Sequence, residues 1–204
     1  MAVQSNLKNM TLVLTLTCLF CSAILGGAYA LTKAPIDKAA EAKTAKAIGA
    51  VLPEFDATSY ETVSVGGKEF NYYLAKKGTE TVGYAVESAT SGFGGPLSLI
   101  VGITADGVVY NTSVLSHSET PGLGAKCSTD EKFMSQWKGL NPSDKILKVK
   151  QDNGDIDAIT ASTITSRAYT LAVQNALAAV SVITGENPDA TTGASTTKEE
   201  TSNE

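Results

Sequence analysis

Hydroxyl side chains cluster directly in front of a long amphipathic stretch. Residues 155–163 lead from a short apolar run into Thr160, Ser162 and Thr163, and apolar residues then recur at helical spacing as far as Ile183. These hydroxyls therefore fall at a predicted helix N-terminus, where backbone N–H groups lack partners and the helix dipole favours negative charge. Such a position can bind a phosphate. The simpler interpretation is a helix cap, because Ser and Thr are preferred there.

A second candidate site is the loop at residues 116–124, in which small side chains leave the backbone N–H and C=O groups accessible. Glu119 is followed in it by Thr120-Pro121-Gly122-Leu123-Gly124. Proline fixes its own φ and glycine tolerates positive φ, so this segment can turn tightly and let a flat ligand approach the backbone. Backbone groups would then bind the polar edge of a ring while Leu123 packs against its face. An ordinary turn is the alternative, and the loop Phe93-Gly94-Gly95-Pro96 is either a turn or a second wall of a cleft.

Composition excludes several functional classes. The net charge is −5 with acidic and basic residues interspersed, which argues against a nucleic-acid partner. The three cysteines, Cys18, Cys21 and Cys127, form neither a disulfide framework nor a metal-binding spacing. The chain has a single histidine, His117, which argues against a His-based metal site or a catalytic triad. His117 can adjust the protonation of a ligand, but a structural role is the simpler interpretation.

The N-terminus contains a candidate membrane segment. No charged side chain occurs from Asn9 to Thr32, and at about 1.5 Å per residue a helix of this length exceeds a hydrocarbon core of about 30 Å. A cleaved signal peptide is the alternative, since Ala28-Tyr29-Ala30 resembles a cleavage site. The length of the run favours an uncleaved anchor. We expect an anchor over residues 1–33 and, from Pro35, a separate stalk helix within residues 34–57.

The remaining chain predicts an α+β domain at residues 58–184, in which antiparallel strands have helices at their flanks. Gly66-Gly67 and Asp106-Gly107 indicate tight turns between strands. Residues 185–204 are polar, and we expect this tail to be disordered. The predicted strands are Thr62–Val65, Lys68–Lys76, Thr81–Ser88, Leu97–Thr104, Val108–Leu115, Ile146–Lys150 and Ile156–Ile159, with a short helix at Thr129–Trp137.

The two loop motifs together resemble a known family. Glu119-Thr120-Pro121-Gly122-Leu123-Gly124, followed by Asp157-Ala158-Ile159-Thr160-Ala161-Ser162-Thr163, is similar to the FMN-binding domain of RnfG and NqrC. These proteins are subunits of ion-translocating, flavin-containing electron-transport complexes, and the compact layout looks more like RnfG. The resemblance covers the chain from the membrane segment to about Ile183 and implies a single FMN-binding domain behind a membrane anchor.

The resemblance also implies a covalent cofactor site. In that family, a flavin transferase joins FMN through its phosphate to the last threonine of the motif, which corresponds to Thr163. Thr160, Ala161 and Ser162 would then lie around the phosphate, and the loop from Glu119 to Gly124 would face the ring. Ala161 replaces the usual glycine and Ser162 the usual alanine. Ser162 and Thr165 are therefore alternative acceptors, although the resemblance favours Thr163.

The function implied is that of an electron carrier rather than an enzyme with a soluble substrate. The resemblance implies a single-pass protein of the cytoplasmic membrane, with its flavin domain on the outer side and other subunits of an Rnf-type complex as partners. No metal is expected. An NqrC-like or stand-alone exported flavin shuttle remains an alternative, as does a module that binds FMN without a covalent bond.

Overall fold

The computed structural model describes residues 6–185 of the chain, and the polar tail beyond Gly185 lies outside the described residues. Its elements confirm the predicted α+β class, with a helix first, an antiparallel sheet next and further helices after the sheet. The chain divides into two compact units, Met1–Lys43 and Thr44–Glu204, and the first helix contributes to both. Each unit is described separately below.

Helix α1 comprises Leu7–Val51 and continues through Pro35. The prediction that a separate helix begins at Pro35 is therefore wrong. Proline removes its own N–H from the helical ladder and crowds the carbonyl group four residues earlier, but the good helix formers on both sides allow the helix to continue. The helix ends ahead of Pro53, which cannot continue it. Within the described residues of the first unit, it is long and apolar enough to cross a membrane.

The sheet of the second unit has five strands in sequential order, and every neighbouring pair is antiparallel. Gly66 and Gly67 both have positive φ between the paired residues Val65 and Lys68, which confirms the predicted tight hairpin. The strands are β1 (Ala57–Val65), β2 (Lys68–Lys77), β3 (Glu80–Ser91), β4 (Pro96–Thr104) and β5 (Val109–His117).

Helix α3 (Thr163–Thr184) covers one face of the sheet and forms the main core with it. Its predicted apolar stripe is confirmed at most positions, but Ile164 and Leu171 are exposed. Small buried residues such as Ala172 and Ala176 let the helix lie close to the sheet. The Thr90 hydroxyl adds a hydrogen bond to the carbonyl oxygen of Ala168 at 2.9 Å.

The end of α1 covers the opposite face of the sheet. Ala47, Ile48 and Val51 are buried there in a second, smaller cluster of apolar residues. A Cβ atom on Gly102 of β4 would lie 1.7 Å from the carbonyl oxygen of Val51. Only glycine at this position permits the helix end to approach the strand so closely. The last turns of α1 are therefore part of the folded second unit.

The segment between β5 and α3 differs most from the prediction. Ile146–Lys150 and Ile156–Ile159 were predicted as strands, but they form only one parallel bridge, between Val149 and Ile156. A 3₁₀ turn and Asn153 at φ 58° separate them, so the chain cannot extend far enough to form a ladder. The helix predicted at Thr129–Trp137 is shorter, as α2 (Glu131–Ser135), with Asp130 as its N-cap.

Candidate functional site

A cavity of about 410 Å³ lies where two loops meet the N-terminus of α3. One loop connects β3 to β4 and supplies Phe93, and the other follows β5 and includes Glu119 to Gly124. The lining residues are Phe93, Glu119, Thr120, Leu123, Gly124, Ala161, Ser162, Thr163, Ile164 and Thr165. Its volume is within the range of small-molecule sites.

The Glu119 carboxylate holds the parts of this site together. Glu119 is only 6% exposed. Its Oε1 accepts hydrogen bonds from the backbone N–H of Phe93 at 2.8 Å and of Gly94 at 3.3 Å. Its Oε2 accepts a hydrogen bond from the Thr165 hydroxyl at 2.9 Å. One side chain therefore joins the β3–β4 loop, the loop after β5 and helix α3.

Glycine makes room for this carboxylate on two sides. A Cβ atom on Gly92 would lie 2.0 Å from Oε1 of Glu119, and one on Gly124 would lie 2.3 Å from Oε2. Neither distance is compatible with a side chain larger than hydrogen. The glycines of both loops therefore permit the burial of Glu119, a requirement that is tertiary and has no local sequence signal.

The N-terminus of α3 lacks the side-chain cap that the hydroxyl cluster predicts. Ser162 occupies the N-cap position, but its side chain makes no capping hydrogen bond. Its carbonyl oxygen accepts the first helical bond, from the N–H of Ser166 at 3.0 Å. The capping interpretation is thus wrong for the Ser162 side chain. The first-turn N–H groups of a helix without such a cap favour an anion at this wall of the cavity.

The hydroxyls at this helix end differ in their availability. Thr165 is buried and already bonded to Glu119, and Ser162 is only 7% exposed. Thr163 is half-buried, lines the cavity and makes no hydrogen bond through its side chain to any residue that the structure describes. Among these three, Thr163 therefore has the most accessible hydroxyl. Thr160 is exposed and does not line the cavity.

Ala161 has φ 61°, in the left-handed region that favours glycine. The motif that this segment resembles usually has glycine at the position, and the backbone conformation gives that preference a physical reason. The strained alanine turns the chain between Ile159 and α3, helped by a hydrogen bond from the N–H of Ser162 to the carbonyl oxygen of Ile159 at 3.0 Å. The turn thereby directs Thr163 toward the cavity.

The cavity brings together most of the residues that the sequence singled out. Pro121 and Gly122 belong to the same loop but are exposed outside the lining, as is Thr160. Phe93 lines the cavity, which agrees with the second-wall interpretation of its loop. Ile164 was not predicted as a site residue, and Thr165 was predicted only as an alternative acceptor. Ile164 was assigned to the apolar stripe facing the core, so helical periodicity alone could not place it at the cavity.

The rim of the cavity is apolar although it faces solvent. Phe93 is 71% exposed, Leu123 46% and Ile164 48%. Exposed apolar side chains around a concave site are typical of a binding surface. A flat ring can pack against such side chains while a phosphate lies at the helix N-terminus. The cavity thus suits a planar aromatic ligand that carries an anionic group.

Two further titratable groups adjoin the cavity without lining it. His117 Nδ1 accepts a hydrogen bond from the Glu119 backbone N–H at 3.3 Å, which supports the structural interpretation of this histidine. Burial, and secondly the charge of Glu119, raise the pKa of the Cys127 thiol to about 11. Cys127 is therefore a protonated core residue. Within residues 6–185, no group of His, Cys, Asp and Glu side chains could hold a metal ion.

Comparison with known proteins gives consistent matches. Residues 92–178 match the family described as the FMN-binding domain. The chain is 35% identical to the G subunit of the proton-translocating ferredoxin:NAD(+) oxidoreductase complex of Clostridium ljungdahlii, over 89% of this chain and 96% of that one. It is 32% identical to the G subunit of the ion-translocating oxidoreductase complex of Aliivibrio fischeri, over 85% of this chain and 90% of the relative.

Among solved structures, the C subunit of the Na(+)-translocating NADH-quinone reductase from Parabacteroides distasonis is similar. The sequence identity is 21% and the TM-score is 0.48, with 68% of this chain and 81% of that chain covered.

Proposed function

Because the chain belongs to the RnfG family of ion-translocating oxidoreductase complexes, and contains an FMN-binding domain, we propose that it carries electrons through FMN bound covalently at Thr163. The observation that carries the proposal is the accessible Thr163 hydroxyl, which lies at an uncapped helix N-terminus and lines an apolar-rimmed cavity. The other residues proposed to surround the cofactor are Thr160, Ala161, Ser162, Glu119, Thr120, Pro121, Gly122, Leu123 and Gly124.

The cavity offers a chemically suitable surface to each end of the proposed cofactor. Phe93 and Leu123 supply apolar surface for the isoalloxazine ring, and Thr120 supplies polar groups at its edge. A phosphate esterified to Thr163 would accept hydrogen bonds from the first N–H groups of α3 and interact favourably with the helix dipole. Thr165 is the less suitable acceptor because its hydroxyl already binds Glu119.

The protein's own residues position the cofactor, and the flavin supplies the redox chemistry. The apolar rim excludes water from one part of the ring, and the phosphate attachment prevents loss of the cofactor by dissociation. Neither Cys127 nor His117 is placed to act on a soluble substrate, since neither lines the cavity. The fit of the cavity to a resident flavin supports an electron carrier.

The family also supports a membrane setting and protein partners. Helix α1 supplies a candidate membrane anchor, and the relatives are named as subunits of complexes. We propose that the other subunits of an Rnf-type complex exchange electrons with this chain. We also propose that the FMN-binding domain lies on the outer side of the cytoplasmic membrane, where a flavin transferase attaches the cofactor. Ion translocation would be a property of the whole complex.

In-gel flavin fluorescence tests the covalent site. We would produce the full chain in a host that contains the flavin transferase, denature the protein and inspect its band on a gel. The wild-type band should fluoresce, and Thr163→Ala should abolish the signal. Ser162→Ala is the matched control, because it removes a neighbouring hydroxyl and should leave the band fluorescent.

Three other outcomes would contradict parts of the proposal. A dark wild-type band together with flavin released on denaturation would indicate FMN bound without a covalent bond. A band that stays fluorescent in Thr163→Ala would move the acceptor to another residue. Absence of any flavin in the purified wild-type protein would contradict FMN binding itself.

A further inference from the structure

The Glu119 carboxylate has three hydrogen-bond partners among the described residues, and two of them can only donate. Two are the backbone N–H groups of Phe93 and Gly94, and the third is the Thr165 hydroxyl. A protonated carboxyl group would need an acceptor for its own hydrogen, whereas an ionised carboxylate only accepts. The two backbone N–H groups therefore suit a carboxylate acceptor, while the Thr165 hydroxyl can donate or accept.

No cation of the described residues neutralises this charge at close range. Among their ion pairs, none includes Glu119, and His117 contacts its backbone N–H rather than its carboxylate. Hydrogen bonds from these three groups, rather than an ion pair, therefore stabilise a negative charge on this side chain. In a buried environment of low effective dielectric constant, such a charge acts strongly on neighbouring groups.

The same carboxylate determines where Phe93 lies. Phe93 is largely exposed at the cavity rim, so little packing of its own side chain fixes its position. The hydrogen bonds from Phe93 and Gly94 to Oε1 connect this loop to Glu119, and Oε2 connects Glu119 to α3 through Thr165. Loss of the carboxylate would release Phe93 from the N-terminal turn of α3.

We infer that Glu119 is a positioning residue for the flavin, which fixes Phe93 at the cavity and lowers the reduction potential of the ring through a fixed negative charge. The inference rests on the proposed function. Reduction adds electrons to the ring from an external donor, and Glu119 neither gains nor loses any. Because the carboxylate opposes the added negative charge, a neutral residue in its place should make the flavin easier to reduce.

Three substitutions separate charge from position. Glu119→Gln removes the charge but keeps the shape, since its amide oxygen can accept from the Phe93 and Gly94 N–H groups and its NH2 group can donate to the Thr165 hydroxyl. Glu119→Asp keeps the charge but shortens the side chain, so it weakens the contacts with the Phe93 loop. Glu87→Gln is the matched control, because Glu87 is a partly buried carboxylate on β3 that hydrogen-bonds Tyr73 and Asn71 and does not line the cavity.

The positioning role is tested first on the full-length protein without flavin, produced in a host that lacks the transferase. Hydrogen exchange at the amides of Phe93 and Gly94 should accelerate at least about tenfold in Glu119→Asp, because the shorter side chain withdraws the acceptor from both amides. Glu87→Gln should exchange at these amides like the wild type. Unchanged exchange in a folded Glu119→Asp protein would overturn the positioning role.

The charge effect is tested on the flavin-loaded full-length proteins by dye-equilibrated reductive titration. In Glu119→Gln, the ratio of reduced to oxidised flavin at a fixed potential should rise about tenfold or more. Glu119→Asp and Glu87→Gln should stay close to the wild type, since both retain a negative charge at position 119. If Glu119→Gln does not fold, Glu119→Asp alone tests the proposal. It should then combine a wild-type-like reduction potential of the flavin with faster amide exchange at Phe93 and Gly94.

The two proposals fail in different ways. A wild-type protein without bound flavin would contradict the proposed function, while the amide exchange would still test the position of Phe93. A flavin-loaded Glu119→Gln with an unchanged potential would overturn the charge effect alone. An equal rise in Glu119→Gln and Glu119→Asp would also overturn it, because the rise would then follow from altered packing rather than charge.

Discussion

The hydroxyl groups of Thr112 and Tyr169 lie 2.7 Å apart in the core and bind each other between β5 and α3. Both residues are buried, and the Tyr169 ring stacks on Trp137 with 5.2 Å between the ring centroids. Burial also raises the pKa of the Tyr169 phenol, which keeps it protonated. This hydrogen bond therefore helps apolar packing to specify how α3 lies on β5.

A double-mutant cycle should detect this link. Tyr169→Phe and Thr112→Val each leave one buried hydroxyl without a partner, and each should lower the free energy of unfolding by about 1–3 kcal/mol. The double variant should cost less than the sum, with a coupling of about 1 kcal/mol. Urea unfolding followed by fluorescence measures all four proteins, and strictly additive losses would contradict the pairing.

Glycine at position 161 should stabilise the protein. An L-residue at φ 61° is strained by about 1–2 kcal/mol, and the entropic cost of glycine offsets part of the relief. We expect Ala161→Gly to raise the free energy of unfolding by about 0.5–1 kcal/mol, measured by thermal and urea unfolding. Ala158→Gly, at a position without positive φ, is the control and should be destabilising. A loss of stability in both variants would contradict the strain.

The contact of α1 with β4 predicts opposite effects of one substitution at two glycines. Gly102→Ala places a Cβ atom against the Val51 carbonyl oxygen, so the helix end must shift, at a cost of at least about 2 kcal/mol. Gly49→Ala adds a methyl group in open space on the same helix and should stabilise it by up to about 1 kcal/mol. Unfolding in urea distinguishes them, and equal effects would contradict the close approach.

Alkaline pH should destabilise the second unit partly through Tyr72. A hydrogen bond to Glu61, at 2.5 Å, and burial raise the pKa of Tyr72 to about 12 from an ordinary value near 10. The folded state thus favours the protonated phenol, and its contribution is fully present below pH 10 and is lost as the pH rises through about 12. Urea unfolding between about pH 9 and 12 should show this loss.

The matched variant for this pH effect is Tyr72→Phe. It should lose less stability than the wild type over the same pH range, because it has no phenol to ionise. Tyr73, whose pKa is also raised to about 12 by burial and by Glu87, keeps part of the effect in the variant. Identical pH profiles for the two proteins would exclude a contribution from Tyr72.

Local signals were sufficient for the sheet but not for every connection. Gly66-Gly67 specifies a hairpin because both residues need positive φ, and that information lies entirely within the turn. In contrast, the apolar runs before and after Asn153 were predicted as strands and form a single bridge. Pro35 likewise indicated a helix start and lies inside a helix. In both places the neighbouring backbone, rather than residue type, determines the outcome.

At the candidate site, too, local motifs predicted some features and missed those that depend on tertiary contacts. The motifs identified the loop at Glu119 and the turn at Thr163, and the cavity brings both together. They could not show that Glu119 binds Phe93 and Thr165, because Phe93 lies 26 residues and Thr165 lies 46 residues from Glu119 in the chain. Helical periodicity also assigned Ile164 to the core. Such contacts depend on tertiary packing, which a periodic pattern does not specify.

The sequential order of the strands affects the order in which parts of the domain can form during synthesis. Each strand of the meander pairs with the one synthesised immediately before it, so the hairpins can form in the order in which they leave the ribosome. Thr163 and α3 follow the whole sheet in the chain, and the cavity is complete only when they arrive. A modifying enzyme that requires the complete cavity can therefore act on Thr163 only after all five strands have been synthesised.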